Sequence, residues 1–248
     1  MITHKSIGYS GRLGNQMFQY AALKSIAMLM DQDIVLPNHT AIKKDGAYNF
    51  TDNTWIPYKL DLLDCFDLNC SFESINDDKG IIEIDGYFQS YKHLIGIEED
   101  IINEFAFKPH ILNKCTDIIK DYTNTVSIHI RRGDYVNHPN YWVVTPEYIQ
   151  AALEQFSDNK YTFLIFSDDI QWCKEIFPEG VIFMEGNNQF EDLCLMSLCN
   201  HNIIANSSFS WWSAFLNKNK NKRVIAPQMW YSEYKDLSDL YPQQWLQL

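Results

Sequence analysis

The decapeptide SIHIRRGDYV, residues 127–136, decides how the chain is read. Val126, Ile128 and Ile130 alternate with Ser127 and His129, the period-two pattern of a strand. Gly133 then lets the backbone turn. The strand therefore delivers two adjacent guanidiniums, Arg131 and Arg132, to one edge of a sheet. Two cations side by side stand out in a chain with 20 Lys+Arg against 32 Asp+Glu, and they point to an anionic ligand.

On the carboxyl side the same logic repeats. Thr145-Pro146 opens a helix over 146–156, with Thr as cap and Pro in the first turn. Strands are predicted at 161–166, 181–184, 202–205 and 223–226, alternating with helices at 170–177, 190–199 and 210–217. Regular alternation of short apolar strands with helices predicts a parallel sheet covered on both faces. On the amino side, a strand over 4–10, the turn SGRLGNQ and a buried helix over 17–30 resemble a nucleotide-binding first unit. Gly8, Gly11 and Gly14 do not have the G-x-G-x-x-G spacing of the dinucleotide fingerprint. A second strand is expected at 34–36, ended by Pro37, then loops and short helices over 38–79, where Trp55, Pro57 and Tyr58 fall. A strand at 81–84 and helices at 91–105 and 109–121 complete this half. The polar segment 120–125 divides the chain into domains 1–122 and 123–248.

Ligands of open α/β sheets bind beyond the carboxyl ends of strands. Those ends carry Arg131, Arg132 and Asp134, then Ser167, Asp168 and Asp169, then Glu185 and Gly186, then Asn206, Ser207, Ser208, Phe209 and Ser210. A Ser-rich helix start can hold phosphate oxygens on its unbonded backbone N–H groups, so arginines facing it would make a diphosphate clamp. Plainer readings compete: Arg131 with Asp134 as an ion pair of the turn, Ser207, Ser208, Asp168 and Asp169 as helix caps, and His129 as a satisfied core residue. Asp31-Gln32-Asp33 has the letters of a metal-binding D-x-D pair. It lies at the amino end of a strand, the wrong end for a ligand, and reads as a solvated turn.

Composition excludes several classes. At 248 residues, 46% hydrophobic and 15% aromatic, the chain can bury one large core or two small ones. A net charge of −12 repels nucleic acid and anionic membrane surfaces. Six cysteines without a C-x-x-C pair read as reduced thiols rather than zinc ligands. Neither a signal-peptide pattern nor an apolar run of about 18 residues is present, so a cytoplasmic protein is expected.

These residues carry a family resemblance. HIRRGDY (129–135) looks like the first motif of the α-1,2-fucosyltransferases, glycosyltransferase family 11, of bacterial type. GRLGNQMFQY (11–20) resembles that family's N-terminal signature and NSSFSWW (206–212) its C-terminal one. The resemblance implies a GT-B fold of two Rossmann-like domains facing a cleft, with an acceptor-side domain first and a donor-binding domain second. It implies GDP-fucose as donor substrate, a galactoside 2-OH in a glycan as acceptor, inversion at the fucose anomeric carbon, and no metal or other cofactor.

By that resemblance Arg131, Asn15 and Asp134 are catalytic. Gly14, His129, Arg131, Arg132, Ser167, Asp168, Asp192, Asn206, Ser207, Ser208 and Phe209 bind GDP-fucose, with Asp168 or Asp192 as the carboxylate near the nucleoside. Arg131 faces the β-phosphate, and Arg132 points the other way and holds the loop through Asp134. The proton of the incoming hydroxyl goes to Asp134, His129 or Glu185, or else Asn15 orients the acceptor and no strong base is needed. Partners are a nucleotide sugar and a glycan, with peripheral membrane contact if the glycan is lipid-linked. A transferase with the same donor and another linkage is the alternative, and a non-catalytic carbohydrate-binding protein a more distant one.

Overall fold

A computed structural model describes residues 1–9, 11–37, 47–49, 54–56, 60–73, 80–158 and 160–248. Ser10, Pro57 and Tyr58 lie outside the described residues. The chain divides into two compact units, Met1–Ala106 and Phe107–Leu248. The helix 109–119 falls in the second unit, so the structural division comes ahead of the boundary expected at 122/123.

The first unit is built on short parallel strands. β1 (Ile2–His4) pairs in parallel with β6 (Ile82–Ile84), and β2 (Val35–Pro37) pairs in parallel with β5 (Ser71–Glu73). A bridge from Ile2 to Ile34 joins the two pairs, giving the order β6-β1-β2-β5. Between β2 and β5 come an antiparallel pair, β3 (Ala47–Asn49) with β4 (Thr54–Ile56), and a short helix α2 (Leu62–Cys65). Helix α1 (Leu13–Met30) is buried around most of its circumference. Tyr20 donates to Glu104 Oε1 at 2.6 Å and Lys24 pairs with Glu104 at 3.2 Å, which fastens α1 to the end of α3 (Glu98–Glu104).

Four sequence expectations are corrected here. The stretch 38–79, expected as loops and short helices, holds the strands β3, β4 and β5 among its described residues, set by pairing with distant or neighbouring segments rather than by an apolar alternation of their own. β1 ends at His4 rather than Ser10. α1 starts at Leu13 rather than Met17, because Gly11, at φ +88°, turns the chain into the helix directly. A Cβ on Gly11 would lie 2.4 Å from Asn15 Nδ2, so only glycine allows this entry. The helix expected over 91–105 is a 3-10 turn, Tyr91–Leu94, then α3, with Gly96 at φ +87° between them. The turn reading of 31–33 agrees with the structure: Asp31 is the left-handed C-cap of α1 and Asp33 O accepts the Ile2 amide.

In the second unit, α4 (Pro109–Ile119) precedes β7 (Thr125–Ile130). There follow α5 (Pro146–Glu154), β8 (Thr162–Ser167), α6 (Ile170–Ile176), β9 (Ile182–Phe183), α7 (Gln189–Leu198), β10 (His201–Ile203), α8 (Ser208–Leu216), β11 (Val224–Ala226) and β12 (Leu246–Gln247). All six strands are parallel in the order β9-β8-β7-β10-β11-β12. The chain winds outward from β7 through β8 to β9, returns to lay β10 on the other side of β7, and winds outward again. This is the doubly wound Rossmann order, with its switch point between β7 and β10. β12 escapes sequence reading because it is two residues long, Leu246 and Gln247, too short to carry a periodic pattern of its own.

β7 is buried at every position. Val126, Ile128 and Ile130 join the core that contains Tyr148, Ile149 and Ala152 of α5. The alternate residues are polar, yet they too are covered, and Thr125 and Ser127 enter a buried hydrogen-bond network. Asn202 of β10 donates to Ser127 Oγ and to Met196 O, both at 2.8 Å, and its Oδ1 accepts from Asn217 at 2.7 Å. Thr125 donates its amide and hydroxyl to Asn200 Oδ1. The six cysteines form no disulfide. Asn202→Ala would strand Ser127 and Asn217 in the interior. It should lower unfolding free energy by about 2–4 kcal/mol, read as a lower urea midpoint. An unchanged midpoint would show that the network contributes nothing.

Candidate active site

Beyond Ile130 the chain leaves β7 and turns through Gly133–Tyr135 as a 3-10 segment. Successive residues of a strand point to opposite sides, and the two arginines separate accordingly. Arg131 pairs with Asp134 Oδ1 at 2.5 Å and with Asp168 Oδ2 at 2.8 Å, and its guanidinium carbon stands 5.4 Å from the Tyr135 ring centre. Arg132 places its guanidinium 3.8 Å from the Trp172 ring centre and pairs through Nε with Asp169 at 3.2 Å. The expectation that Arg132 holds the loop through Asp134 is therefore corrected: Asp134 pairs with Arg131, and the Arg132 side chain is tied to the start of α6.

Asp168 is the hinge of this arrangement. One carboxylate oxygen pairs with Arg131 while the other accepts the Arg132 amide at 2.9 Å. A Cβ on Gly133 would come within 2.5 Å of Asp168 Oδ2, so glycine at 133 lets the loop close on the carboxylate. Asp169 caps α6 through the Trp172 amide, and Ser167 Oγ accepts the Asp169 amide at 2.9 Å. The ion-pair and cap readings of these residues thus describe real contacts. The same contacts fix Arg131 in orientation at the end of the central strand.

The switch point brings the second group alongside. His129 and Phe209 are 5.6 Å apart between ring centres. Ser208, Phe209 and Ser210 form the first turn of α8, whose leading amides have no carbonyl one turn back to bond. Ser207 caps it without a side-chain bond. Asn206 is wholly buried, and its amide donates to Trp142 O and Trp230 O, both at 2.8 Å. Its Oδ1 finds no partner among the described residues. Its donors hold the loops at 142 and 230 in place beside the start of α8.

His129 is not the satisfied core histidine that the plain reading expects. Nδ1 is buried with no partner among the described residues. Burial, reinforced by the Arg131 charge, lowers its pKa from the ordinary 6.5 to about 3, so it is neutral at physiological pH. Asp192, in the first turn of α7, moves the other way: burial lifts it to about 6, with a hydrogen bond from Asn187 opposing and Glu191 adding to the rise. Among the described residues no hydrogen bond or ion pair is seen between Asp192 and Arg131 or His129, and the groups that act on Asp192 are Asn187 and Glu191. Glu185 is exposed and paired with Lys174. In the first unit, Gly14 and Asn15 open α1, and Asn15 Oδ1 accepts from Gln89 at 2.7 Å. Sequence reasoning missed Trp172 and Gln89, which carry no motif signal, and the role of Tyr135, which stood inside the quoted motif. Among the described residues no three His, Cys, Asp or Glu side chains gather as metal ligands, and no helix is long and apolar enough to cross a membrane.

Comparison with known proteins accords with this geometry. The sequence model of Glycosyl transferase family 11 matches residues 65–248. The chain is 33% identical to the alpha-1,2-colitosyltransferase of Escherichia coli, over 96% of this chain and 97% of that protein. It is 27% identical to the galactoside 2-alpha-L-fucosyltransferase SEC1 of Bos taurus, over 85% of this chain and 64% of that protein. Among solved structures, POFUT1 in complex with GDP superposes with a TM-score of 0.58 at 13% identity, covering 91% of this chain and 97% of that one. That likeness establishes the fold, the GT-B class of two Rossmann-like units.

A stability test follows from His129. Below pH 6.5 the unfolded chain takes up a proton on this residue and the folded chain does not. The stability tied to its neutral form is therefore complete above about 6.5 and is lost as pH falls toward about 3. The wild-type urea midpoint should fall through that window, and His129→Gln should flatten part of the fall. Parallel pH profiles for the two proteins would contradict the buried neutral imidazole.

Proposed function

The chain belongs to glycosyl transferase family 11, and we propose that it transfers a sugar from a GDP-sugar to a glycan hydroxyl, with inversion at the anomeric carbon and formation of an α-1,2 linkage. The observation that carries this reading is Arg131, fixed at the carboxyl end of the central strand by Asp134, Asp168 and Tyr135. As the bond from the sugar C1 to the β-phosphate oxygen breaks, negative charge grows on that oxygen. A guanidinium already oriented there stabilises the charge without reorganising, which accelerates the reaction rather than merely holding the donor. The diphosphate leaves as an anion, so no general acid is needed. The amides opening α8 take the remaining phosphate oxygens. Two acids already engage Arg131, so the donor phosphate displaces one of them, and Asp134, the more exposed, is the one to yield.

Orientation of the acceptor falls to Asn15 in the first unit. Of the groups considered for its proton, His129 is buried and weakened as a base, and Glu185 is held by Lys174. Asp134 lies against the diphosphate arginine and is released when phosphate takes its place. The first unit serves the acceptor and the second the donor, in a cytoplasmic enzyme that needs no metal.

The sugar itself is a separate question, because these motifs address the diphosphate. Transfer of fucose from GDP-fucose to a galactoside 2-OH is the narrow form, in keeping with the name of the bovine relative. A GDP-sugar other than fucose is favoured by the colitosyltransferase, which matches 33% over nearly the whole chain. The test is incubation of GDP-fucose, GDP-colitose and GDP-mannose with a panel of galactosides in EDTA, followed by linkage analysis of the products. A 1,2-linked product from one of them is expected. Absence of GDP release from all three would refute the donor class, and a product of different linkage would refute the regiochemistry.

Arg131→Lys should lose turnover on the order of 10²-fold or more, because a point charge cannot reproduce the planar two-pronged donor. Near-normal kcat in the lysine variant would remove Arg131 from the reacting centre.

A further inference from the structure

We propose that a pocket in the first unit, lined by Ser6, Gln19, Asp85, Gly86 and Tyr87, binds one sugar ring of the acceptor glycan. The inference rests on the glycosyl-transfer reading and names the surface that receives its second substrate. The pocket holds about 280 Å³, at the small end of ligand sites, which run roughly 300–1,000 Å³. That is room for a single ring and too little for a nucleotide sugar.

Its position follows from the sheet. Ser6 comes from the chain leaving β1, Asp85 to Tyr87 from the chain leaving β6, and these strands are parallel neighbours. The pocket therefore opens at the carboxyl ends of two parallel strands, where open α/β sheets bind ligands. The connection after β6 also carries Gln89, which donates to Asn15 Oδ1 at 2.7 Å. The pocket wall and the residue assigned to the acceptor are thus parts of one hydrogen-bonded segment.

Its chemistry suits a neutral polyol. Asp85 accepts from Ser6 Oγ at 2.5 Å through Oδ1, and its second carboxylate oxygen can accept from sugar hydroxyls. Tyr87 is 52% exposed and offers an aromatic face to the C–H side of a ring. An anionic carboxylate at the mouth repels a diphosphate and tolerates hydroxyls, so the pocket separates acceptor from donor by charge.

The walls are held in shape from beneath. His4 is fully buried; its Nε2–H donates to Gly86 O at 2.8 Å and its Nδ1 accepts the Ser6 amide at 3.3 Å. One neutral imidazole thereby ties both walls together, and burial keeps it neutral by lowering its pKa. Phe88 sits at φ +50°, a left-handed conformation that a bulky side chain seldom adopts. Its ring is held edge-on to His4 and to His93, at 5.6 Å from each.

The test uses saturation-transfer NMR with methyl glycosides of galactose, glucose and N-acetylglucosamine, on the wild type, Asp85→Asn and Tyr87→Ala, with GDP affinity measured by calorimetry on each. Asp85 and Tyr87 are exposed, so neither change should disturb folding, which circular dichroism checks. At least one glycoside should bind the wild type and bind both variants tenfold or more weakly, with GDP affinity within twofold throughout. Equal glycoside binding by the variants would overturn the assignment, as would a wild type that binds none of the three. Because the glycoside signal needs no donor, loss of GDP binding alone would count against the donor reading and leave the pocket standing.

Discussion

Both oxygens of the Asp168 carboxylate are committed to the chain that leaves the central strand, one to the Arg131 guanidinium and one to the Arg132 amide. This single side chain, at the end of β8, sets the course of the loop that starts from β7. The parallel register makes it possible, since Ile130 lies opposite Ser167 and the two strands end level. Gly133 gives the carboxylate room, and Asp169 with Trp172 anchors Arg132 beside it. Arg132 is fastened to the start of α6, while Arg131 is held by the two carboxylates of Asp134 and Asp168.

The order of strands explains why these groups meet the start of α8. The chain reverses direction across the sheet between β7 and β10, so the connections leaving these two strands diverge and leave a crevice at their carboxyl ends. His129 near the end of β7 and Phe209 in the first turn of α8 pack together at this switch point, and Asn206 beside them donates to the Trp142 and Trp230 carbonyls. The polar face of β7 continues beneath as the Ser127 and Asn202 network, which ties β7, β10 and α7 into one rigid base. A cation held on such a base needs no rearrangement when charge develops beside it.

Much of this was legible in the sequence, for identifiable reasons. The alternation that marks β7, the Pro-initiated α5 and the serine run that opens α8 are local signals, and these three elements are present. What failed was decided by distant contacts. The start of α1 depends on the approach of Gly11 to Asn15, the break at Gly96 on a backbone angle, and β12 on an edge that only the folded sheet provides. The partner of Arg132 could not be read locally, since Asp169 and Trp172 are some 40 residues away in the chain. His129 was seen as polar on an apolar strand, but its unpartnered Nδ1 and lowered pKa come from burial that only the three-dimensional packing reveals.

The central claim is that the second unit is built around a diphosphate, with Arg131 on its β-phosphate. The most direct measurement compares calorimetric affinities of the wild type for GDP and GMP at one ionic strength. The account predicts that GMP binds at least tenfold more weakly, since it lacks the phosphate that Arg131 and the start of α8 receive. Equal affinity for the two nucleotides would show that the arginine loop does not read the diphosphate, and the account would be wrong.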